Sequence, residues 1–248
     1  MSDAINGADA VLPSGPFSRL DREEFDFGTA QGGPLRRLRI VEALLKARGA
    51  VMREVRAAGA PRRHLPGLLF VVIASGAAYG SIIGLFAGGW QIAYAALKIP
   101  IVLLGTTFLC LPTFYVFNSI LGSRLTLGQS AMLLVFLASA IAVLLIGFVP
   151  IAWFFTVSTG GPGFMAGFHI TVFAIGLLFG VNWLDEARRY LQFLEGDEAS
   201  VRPGFLTLWV ALYTIVGFQM AYYVRPILDA GPFFTGERGL FLEFFQPR

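Results

Sequence analysis

The sequence predicts an all-α, polytopic membrane protein in which five transmembrane helices follow a cytoplasmic amphipathic helix. Its composition is the first indication, because hydrophobic residues make up 56% of the 248 residues and charged residues only 14%, against about a quarter in soluble domains. The second is the distribution of charge, since no aspartate or glutamate occurs between Glu54 and Asp185. After Arg63, the cations of that interval are Lys98 and Arg124 alone. We therefore expect the interval to lie largely within a bilayer.

Charge and apolar content divide the chain into four regions. Residues 1–34 show neither a helical nor a strand period and predict an irregular N-terminal tail. Residues 35–64 predict a basic amphipathic cytoplasmic helix, and residues 65–225 predict the transmembrane domain of five helices. A short external C-terminal segment, 226–248, completes the predicted organisation.

The amphipathic region carries apolar side chains at helical spacing on one face and basic side chains on the other. Such a helix can lie in the headgroup plane, where each basic residue near an anionic surface contributes about 1 kcal/mol. It can equally pack on its own transmembrane bundle, and the pattern leaves both interpretations open. The basic residues expected at the membrane surface are Arg36, Arg37, Arg39, Lys46, Arg53 and Arg56.

Five apolar segments each meet the length of about 20 residues that a helix needs to cross a hydrocarbon core of about 30 Å. The third is long enough to tilt or to bend at Pro150. Most lysines and arginines flank the segments on the side of the N-terminus, so the positive-inside rule places the N-terminus in the cytoplasm and the C-terminus outside. The segments lie near 67–89, 99–121, 127–156, 163–184 and 204–224.

The expected location is a bacterial cytoplasmic membrane. The composition is rich in alanine, glycine and arginine, and the first residues lack the basic and apolar regions of a cleavable signal peptide. The net charge of +3 does not indicate a nucleic-acid partner, because the basic residues cluster just before the first apolar segment, where membrane topology explains them. The expected partners are therefore the lipid bilayer and other membrane-protein subunits.

Glycines recur every four residues in the first apolar segment, in the stretch GAAYGSIIGLFAGG. Because the hydrophobic effect does not drive helices together within a bilayer, small residues that let two backbones approach are typical of helix contacts. This glycine stripe predicts a helix packed along it, from this chain or from another subunit. The fourth segment, which has glycine pairs of its own, is the expected partner within the chain. The glycines predicted to pack helices are Gly76, Gly80, Gly84, Gly88, Gly176 and Gly180.

Polar residues inside membrane segments are candidate functional groups, because their burial is costly. We expect Lys98 either to reach the headgroups as an interfacial lysine or to contact an anion or a lipid headgroup. We expect His169 to be packed and hydrogen-bonded; the alternative is that it ligates a haem or a pigment such as chlorophyll. His64 lies at the opposite membrane edge and cannot be a second ligand of the same haem. Asn118 and Gln219 predict hydrogen bonds between helices.

Motifs for catalysis are missing from the sequence. It contains no phosphate-binding loop, dinucleotide fingerprint, zinc-protease motif or serine-hydrolase motif. The single cysteine, Cys110, provides neither a disulfide framework nor a cysteine-based metal site. The acid-free interval offers no carboxylate as a base or metal ligand within the bilayer. We therefore expect a protein that is not an enzyme and that has no cofactor or metal.

The stretches LKIPIVLLGTTFLCLPTFYVFNSILGSRLTLGQ and YVRPILDAGPFF resemble an uncharacterised group of bacterial five-span membrane proteins. The overall plan resembles that of the Yip1 superfamily. The likeness covers residues 67–235, and the part around Lys98, Pro100, Pro112 and Asn118 carries most of it. It implies a non-enzymatic integral membrane protein, and the eukaryotic relatives are associated with small GTPases and vesicle trafficking. Since the acidic DLYGP-like motif of those proteins is not found here, neither GTPase binding nor any functional residue is carried over.

Together these features favour a non-enzymatic accessory or scaffolding subunit of a larger membrane complex, which acts through helix packing and tail contacts. A small oligomeric transporter or channel is the alternative, with Lys98 and His169 near an outer vestibule. The lack of acids in the spans suits an anion better than a cation. A pigment- or haem-associated membrane subunit, through His169, is the third possibility.

Overall fold

The computed structural model describes residues 51, 55, 60–120, 125–195 and 203–233. These residues form six helices of ten residues or more and no strand, so the prediction of an all-α protein is confirmed for the described part of the chain. The helices are α1 (Ala60–Leu85), α2 (Gln91–Ile120), α3 (Leu127–Gly147), α4 (Val149–Ser158), α5 (Pro162–Glu195) and α6 (Pro203–Tyr223).

Four of these helices, α1, α2, α3 and α5, are long and apolar enough to cross a membrane. The shorter α4 has 10 residues, which at about 1.5 Å per residue is roughly half the thickness of a hydrocarbon core. The sixth helix, α6, has 21 residues and packs against α2. The described fold is therefore that of a polytopic membrane protein.

The third predicted segment, 127–156, forms two helices and not one bent helix. Helix α3 starts at a capping box, in which the Thr126 hydroxyl accepts from the Gln129 backbone and the Gln129 side chain accepts from the Thr126 backbone. It ends at Gly147, and α4 begins two residues later with Pro150 in its first turn. Proline has no N–H to donate and its ring crowds the carbonyl four residues earlier, which explains why the helix is interrupted here.

Helix α3 lies at the centre of the bundle. Every residue from 132 to 142 is buried, on all sides of the helix, as expected for a helix that is apolar all round. It contacts α1, α2 and α5, while α6 lies on the outside of α2 and α4 lies against α1. The remaining helices therefore turn their outer faces to the surroundings of the bundle.

Part of the predicted amphipathic helix packs against the bundle. Val51 and Val55 are helical, four residues apart, and only 1% and 0% exposed. They belong to an apolar cluster with Leu68, Met132 and Trp183, at the end of the bundle where α1 begins. For these two residues the structure favours packing on the bundle over a position in the headgroup plane. The six basic residues expected at the membrane surface, from Arg36 to Arg56, and the N-terminal tail lie outside the described residues.

Candidate functional site

Glycines of α1 bring its backbone into direct contact with that of α2. A Cβ added at Gly80 would lie 2.8 Å from the carbonyl carbon of Ala95, and one added at Gly84 would lie 2.6 Å from the carbonyl oxygen of Gln91. Cβ atoms do not come this close to backbone atoms in proteins, so any larger residue would force the two helices apart. These glycines therefore set the distance between α1 and α2, in the way that small residues do in membrane helix pairs.

The helix that packs on the glycine stripe is α2, and not the fourth predicted segment. Helices α1 and α2 make the most extensive helix contact of the described structure, and Gly76 continues it, with an added Cβ at 3.2 Å from Pro100 Cγ. The cause is the short turn 86–90, which makes the two helices antiparallel neighbours. Gly88 lies in this turn and outside the helix, with φ +74°, next to Gly89 with φ +57°. Its role is to make the turn, because L-residues rarely adopt such angles.

The second glycine pair joins α5 to α3. An added Cβ at Gly176 would lie 3.2 Å from Ile141 Cγ2, and one at Gly180 would lie 2.6 Å from Leu137 Cδ1. Gly180 and Gly176 thus pack helices, as the sequence predicts, but against α3 and not against the glycine stripe of α1. Here the nearest atoms belong to side chains, and backbone oxygens of α3 lie farther away, at 3.5 Å from an added Cβ at Gly180 and 3.9 Å from one at Gly176.

Lys98 lies beneath residues 224–233, which follow α6 and which we call the C-terminal strap. Its side chain is fully buried, and its Nζ donates a hydrogen bond to the carbonyl oxygen of Pro226. The Nζ also lies 5.3 Å from the ring centroid of Phe233, which packs edge-on against Tyr94 at 5.4 Å. The lysine that was expected to reach the headgroups is therefore enclosed by the protein's own C-terminal residues.

Gln91 completes this site from the first turn of α2. Its Nε2 donates to the carbonyl oxygens of Pro226 at 2.8 Å and Ile227 at 3.3 Å, whereas its buried Oε1 has no partner. Among the described residues, Lys98 forms no ion pair with a carboxylate. A lysine ammonium has three N–H donors, of which Pro226 accepts one. This end of α2 therefore holds a buried cation with unused donors beside an unused acceptor.

His169 is held by a tyrosine that the sequence analysis did not single out. Its Nδ1 lies 2.8 Å from the hydroxyl of the fully buried Tyr79, and the two rings meet edge to face. If the hydroxyl donates to Nδ1, the neutral imidazole carries its proton on Nε2, and neither nitrogen then has a lone pair free for a metal. Nε2 is buried and has no hydrogen-bond partner. Within the described residues, no three His, Cys, Asp or Glu side chains are grouped to hold a metal ion.

Helices α2 and α6 meet along a row of polar side chains. The Thr107 and Tyr213 hydroxyls are 3.2 Å apart, and further along the ring of Phe114 lies 4.8 Å from that of Trp209. Asn118, one turn beyond Phe114, is 3% exposed, and its Nδ2 has no hydrogen-bond partner. We call this contact the polar seam; its members are Lys98, Thr106, Thr107 and Asn118 of α2 and Trp209 and Tyr213 of α6.

The predicted polar residues thus occupy different places. Lys98 and Asn118 lie on the polar seam, whereas His169 contacts α1 and Gln219 is half-buried on α6. Among the described residues, Lys98 and His169 have different partners and make no contact with each other. The partners that sequence reasoning missed, such as Tyr79, lie far away along the chain, and no local motif marks them.

The fold and these contacts define a helical membrane protein with four helices able to span a bilayer. No known protein family, curated protein or solved structure matches the chain. Its function must therefore be inferred from the contacts of its own residues.

Proposed function

We propose that the protein is a non-enzymatic accessory or scaffolding subunit of a larger complex in a bacterial cytoplasmic membrane. It crosses this membrane five times, with its N-terminus in the cytoplasm and its C-terminus outside, as the distribution of lysine and arginine indicates. This plan resembles that of the Yip1 superfamily, whose likeness to this chain stays a hypothesis.

The fifth crossing is supported by the position of α6. Its 21 residues correspond to about 31 Å, which is the thickness of a hydrocarbon core. It runs beside α2, which is itself a candidate span, with contacts from Trp209 near its start to Pro226 just beyond its end. A helix that accompanies a candidate spanning helix along this length supports a fifth crossing.

The observation that carries the accessory role is an open glycine pair on α5. Gly163 and Gly167 lie one helical turn apart and are exposed, and an added Cβ at either would meet nothing within 4 Å. The glycines at 76, 80, 84, 176 and 180 are already covered by helices of this chain. A pair of this spacing in a membrane helix is suited to a close helix contact, and none of the described helices of this chain packs on it.

The test is purification from native membranes in a mild detergent, with identification of the co-purifying proteins by quantitative mass spectrometry. We expect a particle heavier than the chain alone, with partners in fixed ratio, and we expect Gly167→Leu to lose at least one of them. Gly147→Leu is the matched control, since Gly147 is also exposed with nothing within 4 Å but is not part of an open pair.

Two results would contradict this proposal. One is a particle that contains only this chain. The other is an equal loss of partners in Gly167→Leu and Gly147→Leu, because the glycine pair would then have no special role.

A small transporter or channel is the second candidate function, favoured by the buried cation Lys98. Its test is solute flux into liposomes that contain the purified protein. Wild-type protein without flux, or a flux unaltered by Lys98→Met, would exclude a role of Lys98 in transport.

A pigment- or haem-associated subunit is the third candidate. It requires the tautomer in which Nδ1 donates to the Tyr79 hydroxyl, so that the buried, unpartnered Nε2 of His169 is free to be a ligand. Its test is the absorbance spectrum of protein purified from pigmented native membranes. We expect a porphyrin band that His169→Leu removes if this candidate is correct, and colourless wild-type protein would dismiss it.

A further inference from the structure

Buried side-chain atoms that lack a hydrogen-bond partner are concentrated on α2 and α6. Among the described residues there are seven such atoms, and four of them belong to these two helices. Thr106 faces α6, since a Cβ added at Gly217 would lie 3.7 Å from Thr106 Cγ2. Trp209 faces α2, since its ring packs on that of Phe114. The four atoms are Gln91 Oε1, Thr106 Oγ1, Asn118 Nδ2 and Trp209 Nε1.

Unpaired polar atoms between membrane helices destabilise the fold, because lipid chains offer them no hydrogen bond. In folded proteins such atoms are satisfied by buried water or by a bound polar group. The hydroxyl pair of Thr107 and Tyr213 lies between Thr106 and Asn118, so polar groups recur along the contact, among side chains of an apolar cluster such as Cys110 and Phe114. The polar seam is therefore suited to water and to small polar solutes.

The polar groups extend over the thickness of a bilayer. Residues 98 and 118 of α2 are separated by about 30 Å at 1.5 Å per residue, which equals the thickness of the hydrocarbon core. The seam is narrow between Lys98 and Asn118, because the methyl group of Met220 lies over Gly105. A Cβ added at Gly105 would be 2.6 Å from this methyl carbon. The C-terminal strap covers the end at Lys98. The structure thus shows a closed arrangement, blocked by one flexible side chain and one terminal segment.

We propose that the polar seam admits small anions, of the size of a halide or a simple carboxylate or sulfonate, from the Lys98 end when the C-terminal strap and the Met220 side chain move aside. Lys98 supplies a buried positive charge with unused N–H donors, and Arg225 in the strap adds a second cation, its guanidinium 3.8 Å from the Tyr222 ring centroid. The carboxylate of Asp229 in the strap is exposed. The described members of the seam contribute no acid. This inference does not depend on a partner protein.

Chemical modification of Cys110, the single cysteine of the chain, can measure access to the polar seam. Cys110 is 2% exposed and belongs to the same buried cluster as Tyr213 and Trp209. A methanethiosulfonate reagent modifies it when the thiol loses its proton to water and the thiolate displaces methanesulfinate, which leaves a mixed disulfide. The experiment compares the rates of modification by an anionic sulfonatoethyl reagent and by a cationic trimethylammonioethyl reagent, with the full-length protein in liposomes.

Each rate is divided by the rate of the same reagent with a free thiol in solution, since a thiolate intrinsically favours the cationic reagent. After this normalisation we expect the anionic reagent to react about tenfold faster than the cationic one, because the field of a cation at the entrance favours one charge and opposes the other. Lys98→Met should bring the two rates close to equality. Lys98→Arg keeps the charge and should keep the preference, so it separates loss of charge from loss of folding. The matched control is Phe108→Cys in a Cys110→Ala background, which places the thiol at the same depth on the exposed face of α2 and should react with neither reagent.

Three results would overturn the proposal. In the first, neither reagent modifies Cys110 in the folded protein, although both modify it after denaturation, which would mean that the seam is dry. In the second, the two reagents have the same normalised rate in the wild-type protein. In the third, the Phe108→Cys control reacts as fast as Cys110, because the reagents would then arrive through the lipid.

Discussion

Two helix pairs in this bundle meet through glycines, but in one pair the glycines face backbone atoms and in the other they mainly face side chains. In the contact of α1 with α2, Gly80 and Gly84 face carbonyl groups of the neighbouring backbone. In the contact of α5 with α3, Gly180 faces the end of the Leu137 side chain. A side chain can change its rotamer, whereas a helix backbone moves only as a whole. The same residue type at the same spacing therefore tolerates substitution to different degrees.

The largest effect is expected at the backbone contact. Gly80→Ala places a Cβ against the Ala95 carbonyl, so the two helices must separate, and we expect a loss of about 1–3 kcal/mol in the free energy of unfolding. Reversible unfolding in mixed micelles measures it. Ala95→Gly in the same chain should not restore stability, because the atoms in conflict belong to the backbone. Wild-type stability of Gly80→Ala would contradict the described helix spacing.

A smaller effect is expected at the side-chain contact. Gly180→Ala meets Leu137 Cδ1 at 2.6 Å, which rotation of that side chain can relieve, and we expect a loss of about 1 kcal/mol or less. In a double-mutant cycle, Leu137→Val should be less destabilising in the Gly180→Ala background, with a coupling of about 0.5–1 kcal/mol. Additive effects of the two substitutions would show that the two residues do not touch.

The smallest effect on stability is expected at the open pair. Gly167→Ala adds a methyl group where nothing lies within 4 Å, so no contact opposes it. Because alanine favours a helix by about 1 kcal/mol over glycine, we expect unchanged or slightly higher stability of the isolated chain. Thermal unfolding of the purified variant checks this. A clear loss of stability would mean that this face of α5 is covered within the chain.

The apolar segments could be predicted, because they depend on residues close together in the sequence. Near Pro150 the sequence predicted a tilt or a bend of one helix, whereas the structure has two helices, α3 and α4. The glycine spacing also predicted close packing of α1 correctly. The identity of the packed helix was predicted wrongly, since a spacing indicates that a helix lies close but does not indicate which one. The short turn 86–90 was a better guide, because it makes α2 the immediate neighbour of α1.

The surroundings of Lys98 and His169 could not be predicted from local patterns. Lys98 contacts Pro226 and His169 contacts Tyr79, so each pair joins parts of the chain that are distant in the sequence. A lysine at the end of an apolar segment looks the same in the sequence whether it reaches the headgroups or is covered by the chain. Only the fold of the C-terminal strap decides between the two.

The bond between Lys98 and Pro226 also constrains how the chain is made. It joins α2 to a residue that follows α6, so α2 enters the membrane long before the Lys98 cation has a partner. Until synthesis passes residue 226, the ammonium group needs water or a lipid headgroup beside it. A chain cut short before the strap retains that exposed charge, which gives the membrane's folding factors and proteases a physical mark of an unfinished protein.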